Sequence, residues 1–373
     1  MDMREFIKYK KGKLKYKKYD IFKISNNKKL LILNFVDIND NFLQIEARDN
    51  CWMKKEKYYY YCEIGNNYYF PEYKDCNALS KITMFDRIIK GRTINFQISL
   101  KNIELNKKIK FYFSYMNNTI EIFPIFDLHF HVPPIINGYY LKGDYTLIND
   151  GKRLTLQKNL EGLSDKLEDN YCNKLKIIGK NKLIQFRKEA KEYFKKPKKK
   201  EIWLINDRVN KAGDNGEFFF RYLNLKNPKD INFNFVISKY SSDYKRLKKL
   251  GNVLCLSSKE YKQTFLKADK IISSVSNSWI DNAFGKNRKY LIDLYHFDLI
   301  FLQHGISKDD VSNLLHRFFK NFSMIITASK YEYKSFLSPN YGYENKNIKL
   351  TGFQDLIIYI LMKKLIIQLI KFY

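Results

Sequence analysis

The sequence predicts a mixed fold, in which an N-terminal all-β, sandwich-like module is followed by an α/β domain built on a parallel sheet. From residue 20 to about 180, short β-branched or aromatic runs are separated by Asn, Asp, Gly and Lys turns. From residue 201 onward, strand-like runs alternate with stretches of helical period, which is the pattern of βαβ units. A basic, proline-containing break ends the helical stretch at 183–200 and separates the two patterns.

The strands of the β module are predicted from short runs that are too apolar for loops and too short for helices. In chain order they are IFKIS, KLLILNF, FLQIEA, YYYYCEI, INFQISL, IKFYFSYM and TIEIFPIF.

The predicted organisation is a basic segment at 1–20, the β-rich accessory domain at 21–180, a helical and basic linker at 181–200, the α/β domain at 201–353 and an apolar tail at 354–373.

The α/β domain is predicted from seven strand-like runs that recur with helical stretches such as EFFFRYLN and SDYKRLKKL between them. The runs are EIWLIND (201–207), INFNFVIS (231–238), NVLCLS (252–257), KIISSV (270–275), LIFLQ (299–303), SMIITAS (323–329) and NIKLTG (347–352). Ligands of such sheets bind beyond the carboxyl ends of the strands. The loops that follow these strands are therefore where functional residues are expected.

Composition narrows the class of protein without identifying it. The chain has 373 residues, 45% of them apolar, which is enough for real hydrophobic cores. Its net charge of +29 suits a nucleic acid, an anionic membrane surface or a phosphorylated substrate. The five cysteines are scattered without metal-ligand spacing, which indicates reduced thiols in a cytosolic protein. Aromatic residues fall in apolar strand patterns and no nucleic-acid motif is present, so a nucleic-acid partner is disfavoured.

Membrane association, if present, is predicted to be peripheral. The N-terminal segment MDMREFIKYKKGKLKYKKYD is basic but has no apolar core, so it is not a secretory signal. It is interpreted as a solvated segment, with a polybasic contact to anionic lipid as the functional alternative. No run reaches the roughly 18 uninterrupted apolar residues of a spanning helix.

One candidate metal site lies in the β module. In FDLHFHVPP, Asp127, His129 and His131 alternate, so a strand would place them on one face. Solvent-facing strand residues are the favoured interpretation of this pattern, and no metal site is predicted.

The loops after two of the α/β strands supply polar candidates. NDRVNKAGDNGEFFFRY contains the candidates Asp207, Arg208, Lys211, Asp214, Asn215, Gly216, Glu217 and Arg221. A turn followed by a helix N-cap explains Asp-Asn-Gly equally well. SSVSNSWIDNAFG offers Ser274, Ser276 and Ser278 to a phosphate or to hydroxyl groups, with an ordinary polar loop as the alternative.

FLQHGISKDD, residues 301–310, supplies the candidate base. His304 follows a predicted strand, and histidine is the residue type whose ordinary pKa, about 6.5, suits proton transfer at neutral pH. Gly305 would let a ligand approach the backbone closely, and Gln303 and Lys308 flank the pair. A structural histidine is the alternative interpretation.

Taken in order, WLINDRVNKAGDNGEFFFRYL, FLQHGISKDD, ITASKYE and KLTGF resemble the landmarks of the CDP-glycerol glycerophosphotransferase family, over roughly residues 198–353. The resemblance implies two Rossmann-like domains of the GT-B type, of which 201–353 corresponds to the first half. It also implies attack of an acceptor hydroxyl group on the β-phosphorus of CDP-glycerol, release of CMP and formation of a phosphodiester in a cell-surface polymer such as teichoic acid or capsule.

The resemblance implies roles for the candidates. His304 would remove the proton of the acceptor hydroxyl group, and Lys308, Arg208 or backbone N–H groups would stabilise the phosphoryl charge. Asp207, Asp214 and Asn215 would position glycerol hydroxyl groups. The remaining substrate-binding candidates are Glu217, Arg221, Gln303 and Gly305. The expected donor is CDP-glycerol, the need for a divalent metal is left open, and the expected location is the inner face of the cell membrane.

The residues after Phe353 depart from the family pattern. They read QDLIIYILMKKLIIQLIKFY, where the family has Arg-Phe-Asp-Asn-Leu after one small residue or proline. If A/T-rich codons for 354–359 are shifted by one inserted base, that motif reappears. We therefore expect residues 354–373 to be an out-of-frame product, the nucleotide-binding second domain to be lost and transferase activity to be impaired. A membrane-surface helix or a naturally short variant are the alternatives.

Two other functions remain open on the sequence alone. A related glycosyl- or polyol-phosphate transferase with another nucleotide donor, such as CDP-ribitol, would share every landmark. A non-catalytic module that holds an anionic polymer or a membrane would use the basic surface. The sequence does not predict the oligomeric state.

Overall fold

The computed structural model describes residues 30–51, 57–82, 88–116, 118–127, 129, 131–305 and 309–352. These residues form a mixed α/β structure with several sheets, in two compact units divided between Ile178 and Gly179. The predicted segments 1–20 and 354–373, the predicted strand IFKIS and the candidate Lys308 lie outside the described residues.

The first unit is built from antiparallel strands that form two sheets within the described residues. One sheet has the order β5-β6-β2-β1-β9, and the other has the order β10-β11-β12-β7-β3-β4, with β8 also paired to β7. The strands are β1 (Leu31–Ile38), β2 (Phe42–Asp49), β3 (Tyr58–Ile64), β4 (Asn67–Tyr69), β5 (Glu72–Ile82), β6 (Ile88–Ser99), β7 (Lys108–Tyr115), β8 (Asn118–Ile122), β9 (Ile125–Phe126), β10 (Gly138–Lys142), β11 (Tyr145–Asn149) and β12 (Leu154–Lys158). Only the short β1–β9 pairing is parallel among these strands.

Alternating side chains explain how the two sheets share one core. Strand β2 alternates between half-buried and buried positions, as a strand with one face on a core must. Inward residues of both sheets belong to a single hydrophobic cluster. Phe96 of β6 meets Phe111 of β7 edge to face, with ring centroids 5.7 Å apart.

A buried charge lies at one end of this core. The Asp49 carboxylate accepts a 2.5 Å bond from the Arg92 guanidinium and bonds from the hydroxyl groups of Tyr58 and Tyr60, at 2.6 and 2.9 Å. The Arg92 guanidinium also stacks on the ring of Tyr73, 4.3 Å from its centroid. These contacts replace much of the hydration that both charges lose on burial.

The first unit also contains a helix and five strands that the sequence pattern did not predict. Helix α1 (Leu163–Ile177) buries Leu167, Tyr171 and Leu175. The five strands are β4, β5, β10, β11 and β12, which are mostly polar or short. Residues 21–180, predicted as strands throughout, therefore end in a helix.

The second unit is built on a parallel sheet whose seven strands match the seven predicted runs. They are β13 (Glu201–Asn206), β14 (Ile231–Ile237), β15 (Val253–Cys255), β16 (Lys270–Ser273), β17 (Asp298–Phe301), β18 (Met324–Thr327) and β19 (Ile348–Leu350). Their order is β15-β14-β13-β16-β17-β18-β19, and every pairing is parallel. The chain thus leaves β13 in one direction and returns to its other side at β16, which creates a topological switch point between these two strands.

The helices of the second unit connect or flank these strands. They are α2 (Asn181–Phe194), α3 (Asn215–Lys226), α4 (Tyr244–Lys248), α5 (Lys259–Lys267), α6 (Ser312–Leu315), α7 (Arg317–Lys320) and α8 (Lys330–Phe336), with 3-10 turns at Gly285–Tyr290, Ile292–Leu294 and Asn345–Asn347. Helix α2 lies in the segment predicted as a linker. Its Arg187 is fully buried and forms a two-pronged ion pair with Asp293 at 2.8 and 2.7 Å, so α2 is anchored in the second unit.

Two further predictions concern membrane contact and thiols. No helix within the described residues has both the length and the apolar character that a membrane crossing requires. All five cysteines are described: Cys51, Cys62 and Cys76 are buried, and Cys172 and Cys255 are half-buried.

Candidate active site at the carboxyl edge of the parallel sheet

Polar side chains gather where the central strands of the second unit end. Asp207 follows β13, Ser274 follows β16, and Gln303 and His304 follow β17 shortly after its last residue. Asn215 begins helix α3 directly after the Asp207 loop. Because parallel strands end at one edge of the sheet, residues that are nearly a hundred positions apart in sequence become neighbours.

Asp207 is buried, with 1% of its surface exposed, and its carboxylate accepts hydrogen bonds from backbone N–H groups at the start of helix α3. Its carboxylate accepts N–H bonds from Asp214 and Glu217 at 3.1 Å and from Gly216 at 2.8 Å. Burial raises the pKa of Asp207 to about 6, and the Ser274 hydroxyl and backbone N–H donors only partly offset that rise. The carboxylate faces the positive end of α3, where a negative charge is stabilised.

Gly216 permits this arrangement because a side chain there would collide with it. A Cβ at this position would lie 2.4 Å from Oδ1 of Asp207 and 2.6 Å from the carbonyl oxygen of Asn206. The Asp-Asn-Gly sequence is therefore more than a turn signal, since its glycine allows the helix to start against the end of β13.

Asn215 connects this helix to the histidine loop. Its side-chain Nδ2 donates to the carbonyl oxygen of Gln303 at 2.8 Å and lies 3.5 Å from that of Leu302. Gln303 has a φ of +60°, a left-handed conformation that is unfavourable for a residue with a side chain. The Gln303 side chain also bonds inward, to the carbonyl oxygen of Ile326 at 2.6 Å. Gln303, the residue before His304, is thereby fixed through its carbonyl oxygen by Asn215 and through its side chain by Ile326.

His304 is exposed, and one of its two ring nitrogens is anchored. Nδ1 lies 2.9 Å from the carbonyl oxygen of Ser274. A carbonyl oxygen can only accept, so the neutral imidazole must carry its proton on Nδ1. The Nε2 lone pair is then free to accept a proton, which is what a general base requires.

Glu217, Arg221 and an unpredicted third residue form an ion-pair network beside the site. The Glu217 carboxylate is buried and accepts bonds from Arg221 at 2.8 Å and from Arg246 at 2.8 Å, with a second, shorter contact to Arg246. Burial by itself would raise the pKa of Glu217, but the two guanidinium groups outweigh it and hold that pKa below its usual range. Glu217 and Arg221, which were both predicted to bind substrate, are therefore engaged in ion pairs within the protein.

The remaining candidates differ in exposure. Arg208 and Lys211 are exposed and joined through their backbones by a 3.2 Å bond. Ser276 is half-buried and Ser278 is exposed. Gly305 is exposed with open space around it, so close packing does not require a glycine there.

The alternating Asp127, His129 and His131 do not form a shared face open to solvent. Asp127 pairs with Arg48 at 3.1 Å, and His129 is buried with its ring stacked on Phe35 at 6.2 Å between centroids. His131 stacks on Tyr140 at 5.3 Å. The solvent-facing interpretation is thus wrong for His129, because this residue is buried in a turn rather than placed on a strand. In the described part of the chain, no group of three or more His, Cys, Asp or Glu side chains could hold a metal ion.

Sequence reasoning missed two residues of this region. Asn206 ends β13, and its Oδ1 is buried without a hydrogen-bond partner among the described residues, as is Oδ1 of Asn215. Such buried acceptors call for a donor from water or a ligand. Asn206 could have been noticed as the polar end of the apolar run EIWLI. Arg246 could not, because its contact with Glu217 is made across 29 positions.

Comparison with known proteins agrees with the ordered motifs. Residues 189–353 match the sequence model of the family CDP-Glycerol:Poly(glycerophosphate) glycerophosphotransferase. The chain is 33% identical over 233 residues to the minor teichoic acid biosynthesis protein GgaB of Bacillus subtilis (strain 168), and the alignment covers 59% of this chain. The chain spans 25% of the length of that relative.

Two solved structures of a variant of the wall teichoic acid polymerase TagF were also matched. They give TM-scores of 0.35 and 0.32 at 14% and 12% identity, covering 54% and 52% of this chain and 50% and 48% of theirs. Structural similarity at this level carries no conclusion. The motif-based resemblance is nevertheless confirmed by the match over residues 189–353, which contain the whole carboxyl-edge cluster: this part of the chain is similar to the CDP-glycerol:poly(glycerophosphate) glycerophosphotransferase family.

Proposed function

We propose that this protein is a glycerophosphotransferase that moves glycerol phosphate from CDP-glycerol to a hydroxyl group of a growing teichoic-acid-like polymer, with release of CMP. The observation that carries the proposal is the anchored imidazole of His304, whose Nδ1 lies 2.9 Å from the Ser274 carbonyl oxygen. The family match over residues 189–353 supports the donor class. In this proposal the second unit is the Rossmann-like, acceptor-side half of a GT-B enzyme and the first unit is an accessory domain.

The chemical step follows from the ring orientation. Nε2 of His304 takes the proton of the acceptor hydroxyl group as its oxygen attacks the β-phosphorus of the donor. The bond from that phosphorus to the CMP oxygen breaks, and CMP leaves with the electron pair. Arg208 is exposed and cationic, so it can approach the phosphoryl oxygens as negative charge develops there, and Lys308 is proposed for the same role.

The buried polar residues would shape the acceptor site rather than react. Asp207 is occupied by three backbone N–H groups, so its proposed role is to fix the start of α3. The Oδ1 atoms of Asn206 and Asn215, which have no partner among the described residues, suit hydroxyl donors of a glycerol unit. Asp214, Gln303 and Gly305 would border that unit.

The proposed place of action is the inner face of the cell membrane, reached by peripheral contact. The net charge of +29 favours both an anionic polymer acceptor and an anionic lipid surface. A nucleic acid is not a proposed partner.

The test is release of CMP from CDP-glycerol by the full chain with an oligo(glycerol phosphate) acceptor, with and without a metal chelator. We expect His304→Gln to lower the rate by roughly 10²–10⁴-fold, the usual contribution of a general base. The matched control is His131→Gln, a half-exposed histidine of the first unit, which should leave the rate unchanged.

Retained activity in His304→Gln would remove the proposed base. Release of CMP from CDP-ribitol but not from CDP-glycerol would replace the donor and keep the reaction. Salt-sensitive polymer binding without any CMP release would favour the non-catalytic module instead.

A further inference from the structure

The outer face of the second sheet of the first unit carries a continuous group of aromatic side chains, here called the aromatic platform. It consists of Tyr59, Tyr61, Tyr68, Phe70 and Tyr112, contributed by strands β3, β4 and β7 and the residue after β4. Tyr59, Tyr68 and Phe70 are 46%, 60% and 67% exposed. Large aromatic groups exposed together, rather than singly, mark interaction sites.

Strand register explains why these rings form one surface. Tyr61 lies directly opposite Tyr112 on the neighbouring strand, and their rings stack with centroids 4.9 Å apart and planes 12° from parallel. Phe70 lies 5.7 Å from Tyr61 and 6.3 Å from Tyr59, and Tyr68 lies 5.8 Å from Tyr61. None of these rings is needed by the core, which is on the opposite side of the sheet.

The rim of the platform is polar but electrically balanced. Glu63 accepts from Lys110 at 2.6 Å and from the Tyr112 hydroxyl group at 2.9 Å. Arg153 donates twice to Glu121, at 2.5 and 2.8 Å. These two carboxylates and two cations are paired with each other, so these four described residues provide hydrogen-bonding groups without adding a net charge of their own.

The exposed aromatic rings and the paired charges beside them indicate what kind of ligand the platform can bind. A sugar ring presents C–H groups on its face, which suit the negative face of an aromatic ring, and hydroxyl groups at its edge, which can bond to the rim. A nucleic acid or a polyol phosphate would need cations that are not already paired. A protein partner would have to remove water from the rim ion pairs, which is costly.

We propose that the aromatic platform binds neutral sugar units of a saccharide chain. This inference does not rest on the transferase activity, because it uses residues of the first unit alone. It gives the β-rich unit a function of its own, namely holding a sugar-bearing polymer.

The test uses the full chain on an array of neutral oligosaccharides made of glucose, galactose, N-acetylglucosamine or N-acetylgalactosamine, followed by calorimetry with each one retained. We expect the triple variant Tyr59→Ala/Tyr68→Ala/Phe70→Ala to bind at least about tenfold more weakly, as expected when aromatic anchors are removed. The control is Tyr240→Ala/Tyr331→Ala, which removes tyrosines of the second unit that are 86% and 87% exposed. Binding should also be insensitive to salt, because a neutral ligand releases no counterions.

If the triple variant misfolds, saccharide binding is compared between the single variants Phe70→Ala and Phe70→Tyr. Phe70→Ala should weaken binding, and Phe70→Tyr, which keeps an aromatic ring, should not. The proposal is overturned if the wild type retains no saccharide or if the triple variant binds as well as the wild type. It is also overturned if sedimentation shows a self-association that the triple variant abolishes while no sugar binds. The His304→Gln variant should bind saccharide as the wild type does. Saccharide binding therefore tests the aromatic platform even if the proposed transferase activity is not found.

Discussion

At the scale of single residues, the group proposed to react, His304, is exposed at the carboxyl edge of the parallel sheet, whereas the residues that position it are buried. His304 is exposed, and its free nitrogen faces away from the anchored one. Asn215 and Asp207 are buried, and Nδ2 of Asn215 and the Asp207 carboxylate bond to backbone atoms. Their substitution should therefore change the placement of His304 and leave the chemistry of its ring intact.

Replacing Asn215 with Ala is expected to lower kcat by about 10–100-fold, because small displacements of a base reduce turnover, and also to raise KM for the acceptor, because the Oδ1 proposed to receive a glycerol hydroxyl group is lost. The measurement is steady-state CMP release. Asn224→Ala is the matched control, since Asn224 makes a similar 2.8 Å amide bond to a carbonyl oxygen, that of Phe220, on the same helix. Equal losses in both variants would contradict a positioning role for Asn215.

Asp207 should make stability depend on pH in an unusual direction for a carboxylate. Its pKa is raised from 3.8 to about 6, so the folded state binds the proton more tightly than the unfolded state. Relative to Asp207→Asn, the wild type should be most stable below about pH 4 and should lose on the order of 3 kcal/mol as the pH rises through about 6. Urea unfolding of both proteins across this range measures the difference, and a wild type that became more stable relative to Asp207→Asn as the pH rose would refute the assignment.

At the scale of elements, the sequence predicted the second unit better than the first. All seven strands of the parallel sheet were predicted because strand-like runs alternate with helical stretches in this part of the chain. Five of these strands are largely buried, whereas β15 and β19 are only partly buried. Strands β10 to β12 were missed because their short, polar-interrupted sequences carry little periodic signal. Helix α1 was missed although its buried Leu167, Tyr171 and Leu175 recur every four residues, which is a helical spacing. The residues His304, Asp207 and Asn215 could be named from loop position, but the Asn215 bond to Gln303 depends on a pairing that only the tertiary structure defines.

A side chain at Gly216, near the start of helix α3, should destabilise the protein. We expect Gly216→Ala to lower the free energy of unfolding by about 1–3 kcal/mol, because the added methyl group would overlap Asp207 and force the helix away from β13. Gly305→Ala is the control for stability, since nothing lies within 4 Å of a Cβ there. Chemical denaturation of the two variants compares them, and equal stabilities would argue against the close approach.

At the scale of the whole molecule, each unit has its own buried ion pair. Arg92 and Asp49 lie within the first unit, and Arg187 and Asp293 lie within the second. The side chains of all four are less than one-tenth exposed. Each pair can therefore serve as a local probe of one unit.

Removing one partner of a buried pair leaves the other charge unpaired and typically costs about 3–5 kcal/mol. Arg92→Met should therefore speed amide hydrogen exchange in the first unit, and Arg187→Met should do so in the second. Exchange measured by mass spectrometry resolves the two. If either variant sped exchange equally in both units, the division between Ile178 and Gly179 would not be a boundary of stability.

The strand order of the second unit also has a consequence for how the chain folds during synthesis. The central strand β13 pairs with β14 and with β16, and β16 is translated only after β14, β15 and helix α5. The apolar run of β13 thus leaves the ribosome well before one of its two neighbours exists. Sheets that depend on such distant pairings fold slowly and expose strand edges meanwhile. Newly made chains should therefore depend on chaperones during the interval in which β13 waits for β16.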